Sequence, residues 1–408
     1  MGQISVATEF VKAAIDAWDA SSVPDDLKDL ATPTPAEVII RTEARPPVTD
    51  PTFNIQVPAP SGKAVHRLVA IGDSLTHGFQ SDAIFNTDWS YPAMIARELG
   101  WYDSFRHPEY RGLGGLPLNI EYLVRELEQR YGSSISFLEL APAVFTVYNV
   151  LTQIRDYWEY GPGAQVPNTL GIMHNLGISG YDVRDVLSRT ADYELQSMQV
   201  PTDPLLNPMV ANAGQLMARY VLNSAVDNTK PVEDAAHWLT PVQAAAALGQ
   251  EGIETLIIFI GANNALRTVI DLGTPRWSKD PGYADLNTKG QYNIWNPLHF
   301  AHEYDELASA IWDIGAQHVI YATVPHVTIA PVARGVGLKV ARTSRYFPFY
   351  TRPWITDDRF DASSDPYITA NQARAIDSAI DQYNDCIAEV VKFARQNQKD
   401  WLLLDVAG

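Results

Sequence analysis

The 408-residue chain has a single cysteine, Cys386. That excludes an internal disulfide framework, and its place on a helical pattern reads as a buried structural thiol. Positive charge is also scarce. Thirty Lys and Arg face 48 Asp and Glu, a formal net charge of −18, which repels phosphate backbones and anionic lipid heads and argues against a nucleic-acid partner. The start, Met1-Gly2-Gln3-Ile4-Ser5-Val6, lacks the basic stretch and apolar run of a secretory signal. Val6 stands where a myristoylation motif needs Ser or Thr. No uninterrupted apolar stretch approaches the length of a membrane span, so no transmembrane segment is expected. These absences fit a cytoplasmic protein, or a secreted one written without its leader. His299 and His302 lie three apart with no third ligand at a recognisable spacing, and no metal or other cofactor is expected. Repeats and low-complexity tracts are absent, and oligomeric state has no signature.

What is there is a large apolar fraction, 46% of residues, enough to bury a substantial core. Phe10 to Trp18 carries apolar residues at helical spacing. From Pro24 to Pro60 prolines recur, and proline removes backbone donors and favours extended chain, so residues 1–60 read as a helix followed by an arm. Then comes Leu68-Val69-Ala70-Ile71-Gly72, an apolar run ended by glycine, which predicts a buried parallel strand stopping at Asp73-Ser74. A helix is expected over Tyr91 to Leu99, with Ser90 as cap, Pro92 in the first turn and Gly100 at the end.

Residues 101–168 form an aromatic-rich excursion with a helical pattern from Leu118 to Tyr131; it reads equally as a functional lid or as a structural embellishment. Further strands are expected at Leu170–Leu176, Thr255–Gly261, His318–Val324 and Trp401–Asp405. Helices are expected at Val183–Leu187, Tyr304–Ile314 and Ala370–Arg395. Strands alternating with helices predict an α/β/α sandwich, one parallel sheet covered on both faces, spanning residues 61–408.

Three predicted strands end in residues suited to one reaction: Gly72-Asp73-Ser74, Ile178-Ser179-Gly180 and Gly261-Ala262-Asn263-Asn264. Ligands of open α/β sheets bind in the crevice at the carboxyl ends of the strands. Acyl transfer needs a nucleophile and donors aimed at the developing oxyanion, and Ser74 with its own N–H, the N–H of Gly180 and the amide of Asn263 supplies both. Asp73, Asn264 and His326 are placed on the same substrate-facing rim, His326 because it directly follows the fourth strand. A serine-dependent esterase or lipase is the leading expectation, with a small-molecule or lipid ester as substrate.

Gly72-Asp73-Ser74-Leu75, Gly180 and Gly261-Ala262-Asn263 resemble, in order, the first three blocks of the SGNH (GDSL-type) hydrolases. Tyr91-Pro92 through Leu99-Gly100 resembles what commonly follows the serine in bacterial members. The resemblance implies esterase or lipase activity on a flavodoxin-like sheet, with Ser74 as nucleophile and Gly180 and Asn263 as oxyanion donors. It covers about His66 to Asp405 and leaves out the arm and the 101–168 excursion. Asn264 stands where the family has aspartate, so the carboxylate charge is missing and the side chain reads as holding its loop.

The family activates its serine with an Asp-x-x-His block after the last strand, whereas this sequence stops at Asp405-Val406-Ala407-Gly408. A last strand also normally has a closing helix. The expectation is therefore that the native polypeptide continues past Gly408. The sequence's Asp234-Ala235-Ala236-His237 falls before the third strand and reads as a surface pair. The competing expectation is an inactive or impaired module that binds a lipid or glycan in the same crevice.

Overall fold

Among the residues described by the computed structural model, which are 3–407 apart from 30–31, 60–61, 111, 168–170 and 202–208, five strands form one parallel sheet. They are β1 (His66–Gly72), β2 (Asn175–Gly177), β3 (Ile253–Phe259), β4 (Ala316–Ala322) and β5 (Trp401–Leu404), in the spatial order β5-β4-β3-β1-β2. Alternation decides which side chain faces which layer. Val69, Ile71, Leu256, Ile258, Val319 and Tyr321 join the larger core, while Leu68, Ala70 and Ile257 join a smaller one on the other face.

The larger face is covered by α7 (Pro241–Gly249), α8 (Pro297–Trp312) and α9 (Ala370–Gln396), with α1 (Val6–Ala17) packed outside α8 and α9. The smaller is covered by α3 (Tyr91–Glu98), whose Ala93 and Ala96 let it lie close to Leu68 and Ala70. The α/β class and helix-flanked parallel sheet follow from the sequence pattern, and element ends differ by a few residues. Leu402 and Leu404 of β5 are exposed.

The arm runs along α9. The Ile39 N–H donates to Gln382 Oε1 (2.9 Å) and the Arg41 N–H to Ser378 Oγ (2.9 Å), so extended backbone finds acceptors on a helix surface. The guanidinium of Arg45 spans Asp385 and Asp405. Asn168, Leu170, Pro60 and Gly408 lie outside the described residues.

Two local expectations need correction. The second strand keeps only its last residues, because the His174 N–H donates to the Arg106 carbonyl (2.8 Å) rather than extending a ladder. His237 is buried, its Nδ1 set 3.1 Å from the carbonyls of Asp227 and Lys230, so Asp234-x-x-His237 is not a surface pair. The excursion contains α4 (Ile120–Tyr131) and α5 (Leu140–Arg155), and α5 extends at both ends into one continuous helix, Phe137–Tyr160, long and apolar enough by length and composition to cross a membrane. The sequence hides it because polar residues interrupt the apolar run.

Candidate active site

Register sets the site. Gly72 is level with Gly177 of β2 and Phe259 of β3, so the three strands end together and each hands its chain to a loop on the same rim. From β1 the chain goes first to β2 on one side and later to β3 on the other. The crevice beside β1 is therefore the point where the strand order reverses, the usual ligand position in such sheets.

Ser74 is the first residue of a single turn, α2 (Ser74–His77), and is half-buried. The turn lies tight against the strand ends. A methyl group on Gly72 would sit 2.0 Å from Thr76 Oγ1 and 2.5 Å from the Phe259 carbonyl, and one on Gly177 would sit 2.6 Å from the His77 nitrogen. Only glycine lets α2 seat there. Asn175 fixes it further, its Nδ2 donating to the Thr76 carbonyl (2.9 Å) while its Oδ1 accepts from the Gly177 N–H (3.0 Å).

Asp73 caps the turn, accepting from the Leu75 N–H at 3.0 Å. Burial pushes its carboxyl up to about 7 against the lowering effect of that backbone hydrogen bond. Its carboxylate is thus committed to the cap, beside Ser74 in sequence.

Gly180 and Asn263 are brought together. The Asn263 amide donates to the carbonyl of Tyr181, the residue after Gly180, at 2.8 Å. Gly180 itself is exposed, has φ +85° and has no atom within 4 Å of where a Cβ would stand. A side chain there would meet open space, and the positive φ is one that glycine adopts freely. Asn264 is buried, and its Oδ1 accepts from the Val183 N–H at 3.3 Å, which ties the Asn263 loop to the start of α6 (Val183–Ser188). At the start of α6, Asp182 and Asp185 are bridged by Lys289 from a distant loop, and burial together with the Asp182 charge holds Asp185 above the usual carboxylate range despite Lys289 and Arg189.

His77 is a residue whose function the sequence does not disclose. The Ser179 N–H donates to its Nδ1 (3.2 Å), so the ring proton is on Nε2, which donates to Tyr110 Oη (2.8 Å), and the Tyr110 hydroxyl donates to the Met217 carbonyl (3.0 Å). Burial alone drops the His77 pKa to about 3. A neutral imidazole thus joins the Ser74 turn to the Ser179-Gly180 peptide.

His326 lies elsewhere on the rim. Its Nε2 pairs with the buried carboxylate of Asp381 on α9 at 2.8 Å, and Asp377 is near. Burial opposes its charge, but the Asp381 hydrogen bond and the Asp377 charge outweigh burial and raise its pKa. The strand before it, β4, is separated from β1 by β3, two strand spacings or about 10 Å.

All nine histidines have partners other than Ser74. No group of three or more metal-ligating side chains is found among the described residues.

Comparison with family models, curated proteins and solved structures gives no match. The residues and their geometry carry the functional reading.

Proposed function

We propose that this chain is a serine-dependent ester hydrolase of the esterase or lipase type, built on a flavodoxin-like three-layer sandwich and related to the SGNH hydrolases. The observation that carries the reading is the hydrogen bond from the Asn263 amide to the Tyr181 carbonyl. It ties together the two loops that carry potential oxyanion donors, the Gly180 N–H and the Asn263 amide.

In this reading the Ser74 hydroxyl oxygen attacks the ester carbonyl carbon. The carbonyl oxygen becomes an oxyanion received by the Ser74 N–H, the Gly180 N–H and the Asn263 amide. The hydroxyl proton passes to a base in solvent, collapse breaks the bond to the leaving oxygen, which departs as the alcohol on taking up a proton from solvent, and water hydrolyses the acyl group left on Ser74 to the free acid. Donors held by their own loop bonds need no reorganisation as charge develops.

The engagement of every histidine by another partner favours a second reading, an impaired or inactive module holding a lipid or glycan in the crevice. A serine site without its base retains roughly 10³–10⁴ of rate enhancement from oxyanion donors and binding. The two readings separate on nitrophenyl ester hydrolysis measured with and without added imidazole. The hydrolase reading expects turnover above that of imidazole alone, a surplus that imidazole increases and Ser74→Ala removes. Ligand retention with no turnover in either condition supports the module.

A further inference from the structure

We propose that the hairpin of α4 and α5 docks on an uncharged lipid–water interface through its tip. Phe137 and Leu138 are 88% and 87% exposed, and Ile135, Leu140, Val144 and Phe145 beside them are also exposed. Contiguous apolar exposure of this kind marks an interaction surface rather than ordinary surface scatter.

A buried core helix and an N-terminal signal are the usual soluble explanations for a long apolar helix. Neither applies: the most apolar window of Phe137–Tyr160 is 22% buried, and the helix lies in mid-chain. Nor does the helix cross a bilayer as it stands. Its second half is held in the protein, where Val150, Ile154 and Trp158 pack with Tyr110, Leu116 and Tyr220, and Arg155 pairs with Glu159 at 3.0 Å with both side chains buried. Only the tip and first turns are free to enter lipid.

Charge selects the occupant. From Ile135 to Ile154 the sole charged residue is Glu139, and its carboxylate accepts from the Ser136 N–H and hydroxyl in a capping box. No lysine or arginine in that stretch would seek anionic headgroups, and the whole chain at −18 is repelled by them. A zwitterionic surface matches this tip.

The hairpin is rooted near Ser74: β-bridges join Leu116 to Ile84 and Ile84 to Phe79, two residues beyond α2. That substrates are presented as aggregated lipid esters rests on the hydrolase reading, whereas the docking itself does not.

The test is sedimentation of the Ser74→Ala chain with phosphatidylcholine vesicles, beside the same chain carrying Phe137→Asp, Leu138→Asp and Phe145→Asp. The exposed positions leave the fold intact, checked by circular dichroism. Docking expects the apolar tip to partition at least about tenfold more strongly than the charged one, and a Phe137→Trp emission that shifts to the blue on vesicles. Equal partition of the two chains, binding only to phosphatidylserine vesicles, or a tip-dependent dimer in solution without vesicle binding overturns the proposal. Vesicle binding without ester turnover in the unsubstituted chain leaves docking standing and removes the hydrolase reading alone.

Discussion

The N–H of Ser179 donates to Nδ1 of His77 at 3.2 Å, so the loop carrying one potential oxyanion donor hangs from the turn carrying Ser74, the proposed nucleophile. Removing the ring leaves the Ser179 N–H without its acceptor and Tyr110 without its donor. His77→Ala is expected to slow acylation of Ser74 at least about tenfold and to destabilise the fold by about 1–3 kcal/mol. His77→Asn retains an acceptor near Nδ1 and should recover part of the rate. Single-turnover acylation, with KM measured separately, reads the difference; a loss confined to KM contradicts the assigned positioning role.

Acid stability follows from the same ring. Burial drops His77 to about 3, and burial with the Arg106 and His66 charges drops His174 to about 3, whereas both protonate near 6.5 when unfolded. The folded state therefore binds fewer protons than the unfolded one across this window, and stability falls as pH drops from 6.5 toward 3. Asp73, raised to about 7 by burial, acts in the opposite sense, its contribution lost as pH rises from about 4 to 7. Each histidine contributes a limiting slope of about 1.4 kcal/mol per pH unit in this window, and Asp185, also raised by burial, acts with Asp73 against it. Urea unfolding at pH 5 and pH 6, compared between the unsubstituted chain and His77→Asn, should show the substitution removing one histidine's share of the loss on acidification.

Two glycines separate packing from conformation. Gly72→Ala places a methyl 2.0 Å from Thr76 Oγ1 and against the Phe259 carbonyl, so α2 must shift; a loss of about 1–3 kcal/mol is expected, with Ser74 displaced. Gly180→Ala meets no atom but strains φ +85°, at a cost of about 1–2 kcal/mol. Thermal melts should show both losses. Only Gly180→Ala should leave Asn175 and Thr76 in their present contact, visible as an unchanged amide resonance for Asn175.

The Asp381 carboxylate and the Asp377 charge raise His326 above 6.5. The stability from this pairing is fully present below 6.5 and lost as pH rises through the folded-state value. Asp381→Asn should lower the His326 pKa in an NMR titration while leaving fluorophosphonate labelling of Ser74 unchanged. Labelling that falls in step with that titration would place His326 in the reaction and overturn the separation drawn between them.

What the sequence disclosed was local chemistry. Leu68 to Gly72 and Ile257 to Gly261 are legible because apolar runs and their terminating glycines are contiguous, and Ser74, Gly180 and Asn263 stand out as candidates because each lies just past a predicted strand end. His77 and Tyr110 lie 33 residues apart, and their bond exists only because the excursion folds back over α2. Asp381 was equally hidden, since its partner His326 meets it only when α9 crosses the rim. The Phe137–Tyr160 helix is hidden in the sequence because Glu139 and Asn149 break the apolar run while the helix is continuous in space.

The central claim is that Ser74 is a nucleophile set before oxyanion donors. Its most direct measurement is mass mapping after incubation with a fluorophosphonate, run on the unsubstituted chain, Ser74→Ala and Asn263→Ala. The account expects the phosphonyl adduct on Ser74, none in Ser74→Ala, and a rate about 10²–10³ lower in Asn263→Ala. Adduct on another residue, or labelling that ignores Asn263, contradicts it.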